Sequence, residues 1–270
     1  MSSKDKKNSV VPKSFWKEGD PEIDDEARAI LTTYGGVAED QLVPHVREVR
    51  EKAWKVFQYP CVGLYSFVKF SISHSELYPT VLERVKHGET LLDLACGFGQ
   101  DVRKLVYDGA PAENLTGTEL EQGFLESGYD LFNDKHKLKA RLTSGDFFAP
   151  ETAGLQEHSF DVIYTANFFH LFSWDEQVEA VSKALGLLKT KSGSMMFGRQ
   201  TAVAEAGPIK VPIARSGVTY RHNVESFRKL VAEVADKTGL DFAAEVELIE
   251  EEGRKVGGAF NMMSYRFTMR

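Results

Sequence analysis

At 270 residues, with 42% apolar and 27% charged side chains, the chain has the composition of a soluble globular protein, long enough for one sizeable α/β domain with an appendage. A net charge of −7 excludes the basic face that a nucleic-acid partner would require. The two cysteines, Cys61 and Cys96, make neither a disulfide framework nor a metal site. With no apolar run long enough to span a membrane and no signal-peptide core, the chain reads as cytoplasmic.

Residues 1–20 are polar and lysine-rich and read as a mobile tail. Helical composition follows from Glu22 to Tyr34 and ends at Gly35-Gly36. Over 38–57, Leu42, Val46, Val49, Ala53 and Val56 recur at helical spacing with charges between them. A turn at Tyr59-Pro60-Cys61-Val62-Gly63 leads into the aromatic stretch from Tyr65 to Phe70, then a helix over Tyr78 to Val85. Residues 21–88 thus form a helical cap ahead of a main domain, 89–270. Tyr65 and Lys69 share the spacing of the catalytic pair of short-chain dehydrogenases. There the pair follows the glycine loop, whereas here it precedes it, which leaves a packed helix face as the reading.

From Glu89 onward, strands and helices alternate. Thr90 to Asp93 is a short buried strand ending in a carboxylate, followed by a turn with Gly97 and Gly99. The next helix, Asp101 to Asp108, places Val102, Leu105 and Val106 on one face. Leu115 to Thr118, Lys139 to Thr143 and Phe160 to Thr165 are the next three strands, with a helix through Phe124 and Leu125 to Phe132. Glu176 to Leu188 is helical, and Met195 to Phe197 lies in the fifth strand. Residues 200–222 hold Gly207-Pro208, Pro212 and Gly217 without a period and read as a loop or insertion on the substrate side. Asn223 caps a helix running through Phe227, Leu230, Val231 and Val234 to Gly239. Asp241 to Ile249 and Ala259 to Met269 are two final strands separated by Glu250-Glu251-Glu252-Gly253.

Strand, glycine turn and helix make the first half of a nucleotide-binding βα unit, where a side chain on the turn would keep the ligand from backbone N–H groups. Glu119 comes twenty residues after Gly99, where a doubly wound fold places an acid that accepts both ribose hydroxyls. A solvated surface Glu is the plain alternative, and the position speaks for a nucleoside without choosing the cofactor. Leu120 beside it joins the expected cofactor contacts.

The run Asp93-Leu94-Ala95-Cys96-Gly97-Phe98-Gly99 resembles motif I of the class I S-adenosylmethionine (SAM) methyltransferases, Asp/Glu-x-Gly-x-Gly-x-Gly. Ala95 stands where the first family glycine usually is, a mild departure, since alanine is small and demands only an ordinary backbone angle. The rival dinucleotide fingerprint fails at its third glycine, which is Val102 here. Asp93 also suits SAM, because a carboxylate there can face the cationic methionyl end. In this family the position of Asp146 carries an acid that accepts from the adenine amino group, with Phe147 against the ring. Asp146 could instead N-cap a helix near 151. Phe160-Asp161-Val162-Ile163 and the exit into His170-Leu171 resemble motif IV of small-molecule members, so 166–172, Asn167 included, should border the methyl-transfer site. The Asn/Asp-Pro-Pro-Tyr/Phe sequence of amide- and adenine-nitrogen methylating enzymes is absent. His170 reads either as a general base for a hydroxyl acceptor or as a packing residue. Arg199 reads as a cation for a substrate carboxylate, ahead of Arg215 and Arg221, or as a surface partner of a Glu.

Together with Tyr59–Gly63, Gly198-Arg199-Gln200 and Arg221-His222-Asn223, these motifs resemble a fungal group of methyltransferases from meroterpenoid and polyketide pathways, over roughly 30–265. Members esterify a carboxyl group on a large apolar intermediate. The resemblance implies a class I α/β fold, with a seven-stranded sheet, a C-terminal antiparallel hairpin and a helical N-terminal cap. It implies SAM as cofactor, no metal, a small-molecule substrate, and no nucleic-acid or membrane partner. For assembly, a homodimer is the form considered. Phe57, Tyr59, Tyr65, Phe67 and Phe70 would line an apolar pocket or form the core of the cap. Three readings stand: a carboxyl O-methyltransferase, a hydroxyl O-methyltransferase using His170, and a SAM-binding regulator without turnover.

Overall fold

The computed structural model describes residues 12–211, 214–249 and 261–270. They fall into two compact units: the first extends to Ala153 apart from Thr90–Leu92, and the second takes Thr90–Leu92 and Gly154–Arg270.

The first unit begins with α1 (Asp25–Ala29), whose first turn is capped by Asp24 accepting from the Ala27 N–H, and which runs on as a π-turn over Ile30–Tyr34. Next come α2 (Leu42–Val56), the single turn α3 (Pro60–Gly63) and α4 (Tyr78–Lys86). Leu42, Val46, Val49 and Ala53 of α2 are buried as their spacing requires. β1 (Leu91–Leu94) is buried at every position, as a central strand covered on both faces must be. It is followed by α5 (Gln100–Tyr107), β2 (Leu115–Glu119), α6 (Gln122–Phe132) and β3 (Arg141–Ser144). Phe67 stacks on Phe98 of the glycine turn with centroids 4.6 Å apart, and Phe98 meets Phe124 of α6 at 5.6 Å. Burying each such ring contributes roughly 1.5–3 kcal/mol.

The second unit holds β4 (Val162–Ala166), α7 (Trp174–Leu187), β5 (Met195–Ala202), β6 (Gly207–Lys210), β7 (Val218–Arg221), α8 (Val224–Thr238), β8 (Phe242–Ile249) and β9 (Asn261–Met269). Ser173 and Glu176 form a capping box on α7, Asn223 and Ser226 form one on α8, and α8 stops at Gly239 in the left-handed region. Asp161, ahead of β4, is buried. Its Oδ2 accepts from the Thr90 N–H and hydroxyl, both at 2.9 Å, and pairs with Lys189 at 2.6 Å. Burial alone would raise this carboxyl, but the two lysines, Lys189 and Lys191, and the Thr90 donors outweigh it and hold it well below the usual range. The Asp of the Phe160-Asp161 entry therefore anchors the start of the central strand.

The sheet order is β3-β2-β1-β4-β5-β9-β8. β2 and β3 run parallel, as do β4 and β5, while β9 is antiparallel to both β5 and β8. This is the expected seven-stranded class I architecture with its antiparallel hairpin. Among the described residues no helix is long and apolar enough to cross a membrane.

Several expectations shift. β3 begins at Arg141 rather than Lys139. The expected loop 200–222 is largely ordered: β5 runs on through Arg199 and Gln200, and β6 pairs with β7 as a separate antiparallel ribbon. Pro208 hid this ribbon, since Pro reads as a strand breaker yet is tolerated where a strand has an open edge. Within the expected tail, Trp16 meets Trp54 edge-on at 5.0 Å, and the Lys17 carbonyl accepts from Arg50 at 2.8 Å, so its second half packs on α2. Tyr65 sits outside any α-helix at φ 60°, with its hydroxyl donating to the Gly19 carbonyl at 3.1 Å and Lys69 exposed. It is neither half of a catalytic pair nor a helix face. Tyr65, Phe67 and Phe70 are core, packed with Val46 and Val49 of α2, while Phe57 and Tyr59 are half-buried beside that core. The cap's rings therefore serve mainly to fold it. Residues 1–11, Pro212, Glu250-Glu251-Glu252-Gly253 and Ala259 lie outside the described residues.

Candidate active site

Motif I builds a backbone cradle at the carboxyl end of β1. Ala95, Gly97 and Gly99 all take positive φ, at 60°, 58° and 67°. Ala95 therefore does not occupy an ordinary backbone angle: the position demands the left-handed region, which costs an alanine roughly 1–2 kcal/mol. That is why glycine is usual there. A Cβ on Gly99 would come 2.9 Å from Arg103 Nη1, and one on Gly128 of α6 would sit 2.0 Å from the Phe98 carbonyl oxygen. The turn is packed to backbone contact.

Beneath it lies a network that the motif did not announce. Arg103 Nη1 donates to the carbonyls of Phe98 (2.7 Å) and Gly99 (3.2 Å), while Nε and Nη2 grip both oxygens of Asp134 at 2.7 and 2.8 Å. Asp134 Oδ2 also accepts from the Tyr34 hydroxyl at 2.8 Å. Arg103 and Asp134 are both fully buried. An Arg in a helical run of apolar neighbours was readable; its partner, 31 positions away, was not.

Asp93, at 3% exposure, leaves Oδ2 without a hydrogen-bond partner among the described residues. Burial, then the charges of Asp101 and Glu119, push its carboxyl well above the usual range. Glu119, at the end of β2, is also buried and folds back onto backbone donors. Oε2 accepts from Gly97 N–H at 3.0 Å, and Oε1 from Leu120 at 2.9 Å and Glu121 at 3.2 Å. Burial raises it to about 7 against the pull of those three donors. Glu119 is thus not a solvated surface acid. Leu120 beside it is 56% exposed, an apolar side chain held out of the core.

Asp146 Oδ1 accepts from the Phe148 N–H at 2.9 Å, closing an Asx turn after β3. The short 3₁₀ turn Pro150–Ala153 begins too late for Asp146 to cap it. Phe147 is buried, edge-on to Phe148 at 6.2 Å.

In the second unit, β4 ends at Ala166, and Asn167 turns the chain at φ 55° with its N–H donating to the Arg199 carbonyl at 2.8 Å. Phe169–Leu171 forms one 3₁₀ turn that carries His170. Its Nδ1 is buried with no partner among the described residues. Burial first, and the Arg221 charge second, pull the imidazole down to about 3. Arg199 lies half-buried on β5, in register with Ala166 on one side and Ser264 on the other. Arg221, at the end of β7, donates through Nη1 to the His170 carbonyl at 3.0 Å. Gln177 Oε1, Thr219 Oγ1, Gln200 Oε1 and His222 Nε2 are likewise buried without partners in this unit.

Tested against a cofactor with a cationic amino-acid end and a nucleoside, the first unit fits. Asp93 offers a buried acceptor that no donor among the described residues uses, and Gly97 and Gly99 put no side chain into the cradle. Asp93 lies in the last two residues of β1, Glu119 ends β2 and Asp146 follows β3, at the strand ends where open α/β sheets take ligands.

Comparison with known proteins bears on the same stretches. Residues 15–68 match the model of the meroterpenoid methyltransferase N-terminal domain, and 91–191 match a methyltransferase domain model. O-methyltransferase phiE from a fungal species (strain ATCC 74256) is 39% identical over 83% of this chain and 76% of its own length. Asnovolin E/Chermesin D methyltransferase nvfJ from Aspergillus novofumigatus is 38% identical over 80% of this chain and 78% of its own. O-methyltransferase atr3 from Stereocaulon alpinum is 35% identical over 97% and 75%. Among solved structures, phosphoethanolamine N-methyltransferase 2 from Haemonchus contortus, in complex with SAM, superposes with a TM-score of 0.52 at 14% identity. The match covers 90% of this chain and 60% of that one. A putative Zn-dependent alcohol dehydrogenase from Rhodobacter sphaeroides reaches 0.55 at 13%, over 82% and 98%. At such identities these two matches speak for the fold alone.

Proposed function

This chain belongs to the fungal SAM-dependent methyltransferase family of those relatives, and from that premise we propose that it methylates a carboxylate on a large apolar intermediate, giving a methyl ester. O-methylation is what phiE and atr3 are named for. SAM, when bound, would supply an activated sulfonium methyl, which a positioned carboxylate oxygen could take as the S–C electron pair stays on sulfur. Within the chain, Asp93 would hold the cationic amino group and Glu119 the ribose hydroxyls. Asp146, Phe147 and Leu120 would meet the adenine, and Asn167 would border the reacting end.

The choice of carboxylate rests on His170. A hydroxyl acceptor must lose a proton, and the efficient base has a pKa near the working pH. Burial and the Arg221 cation hold the His170 imidazole near 3, which makes it a poor acceptor of a phenolic proton. A carboxylate is ionised at neutral pH and needs only positioning and partial desolvation.

A pH–rate profile of wild type and His170→Ala, on whichever acid or phenol wild type methylates fastest, tests this reading. The expected outcome is a moderate loss that is the same at every pH. A variant nearly dead at neutral pH that recovers toward pH 10 would make His170 the base and the acceptor a phenol.

A further inference from the structure

We propose that Arg221, not Arg199, is the cation that receives the acceptor's carboxylate. The proposal rests on the ester reading above. It begins from a charge without a counter-ion among the described residues. Among the described residues Arg221 has one hydrogen-bond partner, the His170 carbonyl, and no carboxylate in ion-pair reach. Its guanidinium is half-buried, and burial alone moves it below its ordinary value, with no neighbouring acid acting the other way. The remaining N–H groups are not among the buried atoms left without partners, so they open to solvent. A partly desolvated guanidinium with its other donors accessible is suited to grip a carboxylate by two prongs.

Other basic side chains of this unit are engaged. Lys189 and Lys191 hold Asp161, Arg266 pairs with Glu245, Arg270 with Asp241, and Arg228 donates to the Val246 carbonyl.

The backbone around Arg221 is fixed on both sides. The Tyr220 N–H donates to the Phe172 carbonyl at 2.8 Å, and Gln177 Nε2 bridges the carbonyls of Phe172 and Tyr220 at 3.0 and 2.9 Å. The Val203 N–H donates to the His222 carbonyl at 2.9 Å, and Asn223 caps α8. Little ordering is left for binding to supply. The hydrogen bond to His170 holds Arg221 at the turn after the carboxyl end of β4, where sheets of this kind bind ligands. The same turn brings Phe168 and Phe172 together with centroids 5.0 Å apart, apolar surface for the skeleton that bears the acid. The Arg221-His222-Asn223 run thereby divides into one ligand-facing cation, one buried imidazole and one helix cap.

The test uses the full chain saturated with S-adenosylhomocysteine, titrated with matched acid, amide and alcohol derivatives of naphthalene, farnesyl and sterol-sized skeletons. Wild type should prefer the acid on at least one skeleton. Arg221→Met should lose acid affinity about 10- to 100-fold while amide affinity stays, and Arg221→Lys should fall between. Thermal melts and S-adenosylhomocysteine affinity report whether each variant is folded. Retention of acid selectivity by Arg221→Met, or its loss in Arg199→Met alone, overturns the assignment and leaves the ester reading standing. Absence of acid selectivity in wild type, or methyl ethers formed from the alcohols, removes the ester reading and this assignment with it.

Discussion

Around the carboxyl ends of β1 and β2, the buried charges of Glu119 and Arg103 are each held by several internal hydrogen bonds, while Asp93 Oδ2, Gln100 Oε1 and Thr143 Oγ1 stay without partners among the described residues. Glu119 accepts from three N–H groups, and Arg103 donates to Asp134 and to two carbonyls of the glycine turn. Around the turn after β4 the charge is held differently: among the described residues His170 Nδ1, Gln177 Oε1, Thr219 Oγ1 and His222 Nε2 are buried without partners, and Arg221 has no counter-ion. In the first region the buried charges are fixed by internal bonds, which suits the proposed role of holding a cofactor. The second, proposed to take the acceptor, leaves a guanidinium without a counter-ion among the described residues. Asp93 Oδ2 is one of the open acceptors of the first region, and under the proposed function it would meet the cationic end of the cofactor.

The largest effect should come from breaking the internally satisfied side. Asp134→Ala leaves the Arg103 guanidinium buried and unpaired, a change that costs about 3–5 kcal/mol. Urea unfolding should show it. Tyr34→Phe removes only the outer hydrogen bond and should cost about 1 kcal/mol. Equal losses for the two would mean that the pair is not the anchor of the turn.

Next in size is cofactor affinity. Glu119→Gln and Asp146→Ala should each weaken S-adenosylhomocysteine binding by about 1–3 kcal/mol by calorimetry. The pH dependence has a definite sign. Burial raises Glu119 from 4.5 to about 7, and ribose hydroxyls would donate to the ionised form, so affinity should rise as pH rises through 7. The stability term runs the other way. The folded state holds this proton between the two values, so its contribution to stability falls as pH rises from 4.5 to 7. Glu119→Gln should flatten the affinity slope and leave the share due to Asp93, whose carboxyl is also raised. A slope unchanged in the variant would assign the titration elsewhere.

The smallest effect concerns Ala95. Glycine there relieves roughly 1–2 kcal/mol of left-handed strain and gives back about 0.4–1 in unfolded-chain freedom. Ala95→Gly should therefore stabilise by up to about 1.6 kcal/mol, read as a small rise in melting temperature. A fall would mean that the methyl group packs.

Much of this was legible in the sequence because period and punctuation carry it. Apolar spacing marked α2 and α8, Asn223 and Gly239 marked the ends of α8, and the Asp93–Gly99 run located the turn between β1 and α5. What stayed hidden depends on distant partners. Ala95 looked harmless because its backbone angle is set by the turn, not by its own side chain. The placement of Arg221 stayed hidden because 200–222 read as a loop, whereas pairing of β6 with β7 and a hydrogen bond to the His170 carbonyl hold it. The cap's aromatic run named the right residues for burial, but spacing alone does not separate a pocket wall from a core.

The central claim, that the acceptor is a carboxylate methylated without a base, is tested most directly by the lability of the product. The protein is incubated with SAM labelled in its methyl group and the panel of apolar acids, alcohols and phenols, and the product is treated with mild alkali. An ester releases its label as methanol, and this is the result the account predicts. Label that stays with the product through alkali is an ether or a carbon-bound methyl, and would contradict it.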